Sequence, residues 1–197
     1  MTCWVIIPVK PPEQAKSRLA EVLDAGERKA LAGAMLAHVV SAALAADHVQ
    51  EVALLGPSRL GMAEDLPLLT DPGTGLNPAL HCALAHVAAN NADRLIILFA
   101  DLPKLTSQDV QLLACAPAGT VAIAPDRHGT GTNALSLPLP AAQGFTFTFG
   151  PDSFAAHNSE AERLGLRIET IHSQGLARDV DVPEDLPDAA GLMGPPV

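Results

Sequence analysis

Cys3-Trp4-Val5-Ile6-Ile7-Pro8-Val9-Lys10 decides how this chain is read, together with the loop it empties into, Pro11-Pro12-Glu13-Gln14-Ala15-Lys16-Ser17-Arg18-Leu19. The apolar run has the length and composition of a buried strand. Lys10, Lys16 and Arg18 then fall within nine residues of a chain that holds only 12 Lys plus Arg. Open α/β sheets bind ligands outside the carboxyl ends of their strands, and clustered cations neutralise phosphate. The local excess of positive charge therefore points to a nucleotide or sugar-phosphate enzyme.

Working outward, strand-like runs recur at Trp4–Val9, Val49–Leu55, Arg94–Phe99, Thr120–Ala124, Ala134–Leu137 and Leu166–His172, with helical periodicity between them. The clearest helix is expected over Glu27–Ala46, where Leu31, Met35 and Val39 fall on one face. A second is expected over Pro78–Ala89, with proline in its first turn, and a third over Pro151–Leu164. Alternation of this kind implies an α/β fold whose mostly parallel sheet is covered by helices. Ala134–Leu137 and the alternating Phe145-Thr146-Phe147-Thr148-Phe149 fit less easily, and read as a strand and a hairpin-like insertion at the sheet edge. One domain over residues 1–190 is expected, followed by a flexible tail at 191–197.

The chain has 197 residues, 48% of them hydrophobic and 17% charged, with a net charge of −10. That is a globular composition, large enough for a sizeable core. The acidic balance argues against nucleic acid as a partner, because most of the surface would repel phosphate backbones. Cys3, Cys82 and Cys115 have neither the even count of a disulfide framework nor a C-x-x-C metal spacing, and read as buried free thiols. The first apolar run is short and cut by Pro8 and Lys10, and no apolar stretch approaches a membrane span. A cytoplasmic protein with no membrane partner is expected. No motif speaks to oligomeric state, so a homodimer stays open.

Several segments carry candidate chemistry. The Leu95–Phe99 strand runs into Ala100-Asp101-Leu102-Pro103, which puts a carboxylate at the tip of a buried strand. A second acidic segment is Arg178-Asp179-Val180-Asp181-Val182-Pro183-Glu184-Asp185-Leu186. Magnesium is commonly held by one or two carboxylates plus substrate phosphates; equally, Asp101 could cap a helix starting near Thr106 or close a turn. Gly129-Thr130-Gly131-Thr132-Asn133-Ala134 matches G-x-G-x-x-A, but a strand follows where a dinucleotide fold needs a helix. Its glycines and threonines still offer N–H groups and hydroxyls to an anion. Asp71-Pro72-Gly73-Thr74-Gly75-Leu76-Asn77 precedes a helix, with Asn77 either an N-cap or part of a loop that admits a base or ribose. Gly150-Pro151-Asp152-Ser153-Phe154 opens another helix whose N–H groups favour an anion. His157 is either a ligand contact or a packed helix residue. No P-loop and no G-x-S-x-G elbow occurs.

Taken in order, Pro8-x-Lys10, Ala15-Lys16-Ser17-Arg18-Leu19, Gly75-Leu76-Asn77-x-Ala79-Leu80, Ala100-Asp101-Leu102-Pro103, Gly129-Thr130-Gly131-Thr132-Asn133-Ala134-Leu135 and Phe149-Gly150-x-x-Ser153-Phe154-x-x-His157 resemble the 2-phospho-L-lactate guanylyltransferases. That family belongs to the nucleotidyltransferases with a Rossmann-like, glycosyltransferase-A-like sheet. The resemblance implies transfer of GMP from GTP to the phosphate of a small phosphorylated acid, with release of pyrophosphate, in biosynthesis of the deazaflavin coenzyme F420. The acid would be 2-phospho-L-lactate, phosphoenolpyruvate or 3-phospho-D-glycerate. It also implies that Pro8, Lys10, Lys16, Arg18, Gly75 and Asn77 bind the nucleotide, that Lys10, Lys16, Arg18 and Asp101 carry catalysis, and that Asp101 and Asp181 hold Mg2+. Thr132, Gly150 and Ser153 would contact the acceptor acid. Lys104 adds a charge beside Asp101, either for an acceptor carboxylate or, as usual for a lone lysine, facing water.

A molybdenum-cofactor or sugar-nucleotide nucleotidyltransferase is the nearest rival. Those commonly open with a glycine-rich loop after the first strand, whereas this chain has no glycine before Gly26. A non-catalytic nucleotide-binding module is the rival from another class, and Asp101 and Asp181 argue against it.

Overall fold

The computed structural model describes residues 2–11 and 16–192. Seven strands, β1 (Cys3–Pro8), β2 (Glu51–Gly56), β3 (Leu68–Thr70), β4 (Arg94–Leu98), β5 (Thr120–Pro125), β6 (Thr132–Pro138) and β7 (Arg167–Thr170), form one sheet in the order β3-β2-β1-β4-β6-β5-β7. Every pairing is parallel except those of β6, which runs antiparallel to both β4 and β5. The helices are α1 (Ala25–Leu44), α2 (Leu76–Ala89), α3 (Ser107–Ala114), α4 (Ser153–Arg163) and the short α5 (Gln174–Ala177).

Alternation along the strands sorts the core into two layers. Val5 and Ile7 of β1, Val52 and Leu54 of β2, and Ile96 and Leu98 of β4 pack under α1 and α3. Ile6, Ala53, Leu95 and Ile97 point the other way, against α2 and the α4 side. Strands covered on both faces read as continuous apolar runs, which is why β1, β2 and β4 stand out in the sequence. α1 begins on a capping box, with Asp24 Oδ1 accepting from Glu27 N at 2.8 Å and Glu27 Oε2 from Asp24 N at 2.7 Å. α3 begins on another between Thr106 and Asp109.

Two expectations about the 134–149 region are corrected. β6 lies inside the sheet, between β4 and β5, instead of at its edge. Phe145–Phe149 joins no ladder. Side chains from remote segments satisfy its backbone instead: Thr146 N donates to Glu160 Oε1 (2.7 Å), Thr148 N to His157 Nε2 (3.1 Å) and Phe149 N to Asn77 Oδ1 (2.8 Å). With those N–H groups paired, no neighbouring strand is needed. Phe145 and Phe147 bury their rings in the second layer.

Of the three cysteines only Cys3 is buried, where desolvation pushes its thiol up to about 12; Cys82 and Cys115 are exposed. The last element among the described residues is a 3-10 helix, Pro183–Ala189, whose Ala189 packs with Leu19, Leu31 and Met35. Residues 191 and 192 continue it as a turn, and residues 193–197 of the expected tail lie outside the described residues. Among the described residues no helix is long and apolar enough to cross a membrane.

Candidate active site

The strand order reverses between β1 and β4, so their following loops diverge and leave a crevice at the carboxyl ends. A cavity of about 730 Å³ opens there, and Pro8, Lys10, Lys16, Arg18, Gly75, Asp101, Thr132, Gly150, Ser153 and Asp181 all line it. Of the residues singled out from the sequence for a ligand, Asn77 is not among its walls. Its side chain instead grips the Phe149 backbone, taking the N–H at 2.8 Å and giving Nδ2–H to the carbonyl at 3.1 Å. Nor does Asn77 cap its helix, which starts from Gly75 at φ 103 without a side-chain cap.

Lys16 is the centre of charge. A left-handed backbone (φ 53) ahead of the 3-10 turn Ser17–Leu19 sets its position. Its Nζ lies 2.6 Å from Asp101 Oδ2 and 3.2 Å from Asp181 Oδ1, and its side chain is only 9% exposed. Burial alone would lower the lysine, but the attraction of Asp101 and Asp181 outweighs it and holds Lys16 above its ordinary value. Arg18, 72% exposed, reaches Asp181 Oδ2 more loosely at 3.7 Å. Lys10 is exposed at the rim and makes no ion pair among the described residues.

Asp179 is a third carboxylate in the group. Burial raises its pKa, and the charges of Asp101 and Asp181 add to that, although Asn133 Nδ2 donates to it at 3.3 Å. The signal for it was present: in extended backbone residues two apart share a side, and Asp179 and Asp181 are two apart. Asp101 does not cap the helix after it, which Thr106 caps.

The structure brings Asp101 and Asp181, the pair expected to hold a divalent cation, together around the Lys16 ammonium. Two carboxylates from separate loops converge on one positive centre, within the one or two protein carboxylates that magnesium takes beside substrate phosphates. Among the described residues no group of three metal-ligating side chains forms, so the remaining ligands would come from substrate and water.

The loop holding Asp181 is braced from the far wall. Asp185 Oδ2 accepts the N–H of Asp181 (2.9 Å) and of Val182 (3.1 Å), while its Oδ1 pairs with Arg127 at 2.6 Å. Burial works to raise the Asp185 pKa, yet those N–H groups and the guanidinium keep it below the ordinary range. Arg127 sits in the β5–β6 loop, whose Asp126 carboxylate takes the N–H groups of His128 (3.1 Å) and Thr130 (2.9 Å). The glycine-rich segment thus spends its Gly129 N–H on the Asp126 carbonyl and its Thr130 N–H on the Asp126 carboxylate, where the sequence suggested groups free for a bound anion. What it offers the cavity is Gly131 and Thr132.

Lys104 pairs with Asp188, which also meets Arg178 at 3.5 Å, so it is tied to the C-terminal segment. His157 is fully buried. Its Nδ1 lies 3.0 Å from Thr132 Oγ1.

The sequence profile of a family described as "Guanylyl transferase CofC like" matches residues 3–190. Phosphoenolpyruvate guanylyltransferase of Sphaerobacter thermophilus is 39% identical over 196 residues, which cover 97% of this chain and 94% of that protein. A relative of the same name from Thermobaculum terrenum is 34% identical over 98% of this chain and 85% of its own length. Among solved structures, a putative nucleotide-diphospho-sugar transferase from Desulfovibrio desulfuricans shares the fold, with TM-score 0.76 and 17% identity over 93% of this chain and 84% of that one. So does a Mycobacterium tuberculosis protein in complex with manganese, with TM-score 0.60 and 16% identity over 96% and 98%.

Proposed function

This chain belongs to the CofC-like guanylyl transferases and is an enzyme of nucleotidyltransferase type, and from that we propose that it transfers GMP from GTP to the phosphate of phosphoenolpyruvate, releasing pyrophosphate. The observation that carries this reading is the convergence of Lys16, Asp101 and Asp181 at the crevice between β1 and β4, in a cavity that Thr132 and Ser153 also line. The choice of phosphoenolpyruvate follows the name shared by the curated relatives.

In this reading Pro8 and Gly75 lie along the nucleoside, and Lys10, Lys16 and Arg18 face the triphosphate. Asn77 does not meet the nucleotide itself but braces the acceptor wall from behind, through the Phe149 backbone. A phosphate monoester has its second pKa at about 6, so the acid arrives at neutral pH largely as a dianion that needs no general base. One of its phosphate oxygens forms the new bond to the α-phosphorus of GTP, and the bond from that phosphorus to the α–β bridging oxygen breaks. The three side-chain cations reduce repulsion between the anions and stabilise charge gathering on the leaving pyrophosphate. Asp101 and Asp181 would hold Mg2+, which supplies further charge neutralisation across the phosphates. That a neighbour of the same fold was solved in complex with manganese is in keeping with a divalent ion. Thr132, Gly150 and Ser153 receive the acid. The product would enter biosynthesis of coenzyme F420, placing the enzyme in the cytoplasm.

Pyrophosphate release from GTP and Mg2+, measured with phosphoenolpyruvate, 2-phospho-L-lactate and 3-phospho-D-glycerate separately, tests the reading. Release with phosphoenolpyruvate and little with the others is expected. Release confined to another acid would correct the acceptor. GTP binding with no release under any acid would refute the transferase reading.

A further inference from the structure

We infer that His157 is a positioning residue for the acceptor acid: as a neutral imidazole protonated on Nδ1, it fixes the Thr132 hydroxyl so that its hydrogen points into the cavity. This rests on the proposed role of Thr132 at the acceptor.

The inference follows from which groups can donate. The Thr148 N–H meets His157 Nε2 at 3.1 Å, and a backbone N–H can only donate, so Nε2 carries no proton. A neutral ring then bears its proton on Nδ1, which stands 3.0 Å from Thr132 Oγ1. Nδ1–H donates and the hydroxyl oxygen accepts. Thr132 therefore cannot spend its own hydrogen on the histidine, and among the described residues its Oγ1 has no other hydrogen-bond partner. Thr132 is buried but lines the cavity, so a ligand there is the partner left for that hydrogen.

The surroundings hold the ring in this state. His157 is fully buried, with the Phe149 ring edge-on at 4.5 Å and Phe145 at 5.8 Å between centroids. Glu160 is the charged group that acts on it, and burial outweighs that carboxylate, bringing the imidazole down to about 4. The Asn77 grip on Phe149 extends the support to the start of α2. The acceptor wall thus presents an aimed, uncharged donor beside the cations that face the triphosphate. An anionic phosphorylated acid gains from a donor already oriented, because nothing must reorganise on binding.

Asparagine places its amide near the position of Nδ1, and glutamine near Nε2. His157→Asn therefore keeps a donor for Thr132, whereas His157→Gln keeps only the partner of Thr148. We expect His157→Gln to raise KM for the phosphorylated acid roughly tenfold, the scale of one hydrogen bond to a charged group, with KM for GTP unchanged. His157→Asn restores much of that loss. In His157→Gln combined with Thr132→Val, the two losses do not add. Equal rises in KM for GTP and acid, full additivity, or His157→Asn no better than His157→Gln would each overturn the inference. The tautomer is read without substrate, by long-range proton–nitrogen NMR of the histidine ring. Nε2–H there overturns the inference while leaving the guanylyltransferase reading intact. Nδ1–H in a protein that releases no pyrophosphate with any acid overturns that reading, and the acceptor role with it.

Discussion

Replacing Lys16 by methionine tests whether the charge cluster, more than the shape of the crevice, organises this site. The substitution keeps a long flexible chain and removes the ammonium lying 2.6 Å from Asp101 and 3.2 Å from Asp181. Deleting one partner of a fully buried ion pair costs about 3–5 kcal/mol. Here Asp101 is 28% and Asp181 47% exposed, so water screens part of the repulsion left behind. A loss of about 1–3 kcal/mol is therefore expected, a fall in Tm of about 2–12 °C for a domain of this size. Because Lys16 is held above its ordinary value, its contribution is complete at neutral pH. It is lost as pH rises past about 10.4, the usual lysine value, and through the raised one. The gap in Tm between the two proteins should thus be full at pH 7.5 and close only in the alkaline range. Thermal unfolding at both pH values, run beside pyrophosphate release, makes the check. A variant with unchanged Tm and unchanged turnover at pH 7.5 would refute the reasoning.

Asp101→Asn should separate chemistry from folding. The amide keeps the shape of a side chain already 28% exposed, so Tm should move by only a few degrees while turnover drops roughly a hundredfold or more; a large loss of Tm at unchanged specific activity would sink the proposed metal role. Glu160 supplies a pH test. Its hydrogen bonds from Arg163, with the Thr146 N–H, hold its carboxyl down at about 2 against the opposing effect of burial. Its contribution is therefore present above the usual glutamate value of about 4.3 and lost as pH falls toward 2. Melting curves of Glu160→Gln should lie below those of the unsubstituted protein at pH 7 and converge in that acid window; a constant offset across it would be the contrary result.

How far the sequence reveals this molecule depends on the distance over which each residue finds its partner. The first strand, its cations and the carboxylate after β4 are legible because a buried strand and the loop that follows it are local patterns. That Lys16 and Asp101 meet is not local: they lie 85 residues apart. The alternation Phe145–Phe149 imitates a strand, but its N–H partners come from Asn77, His157 and Glu160, so pattern alone misplaces it. β6 illustrates a different limit. A short apolar run fits an edge or a centre equally well, and only the ladder to β4 and β5 decides. Lys104 shows the same dependence, since its partner Asp188 comes from the C-terminal segment.

The reversal of β6 divides the labour of recognition. Parallel neighbours need a crossover of a dozen or more residues, yet the reversed strand lets β5 turn back within the 126–131 loop and bring Thr132 to the rim where β4 delivers Asp101. The wall assigned to the acid is thereby built from a hairpin and the 145–157 segment, and the wall assigned to the nucleotide from the connections after β1 and β3. An exchange of either has to keep the contacts that join them, Asn77 with Phe149 and Arg127 with Asp185. A graft of the 126–157 stretch between relatives is, on this architecture, the shortest route to a changed acceptor with an unchanged donor.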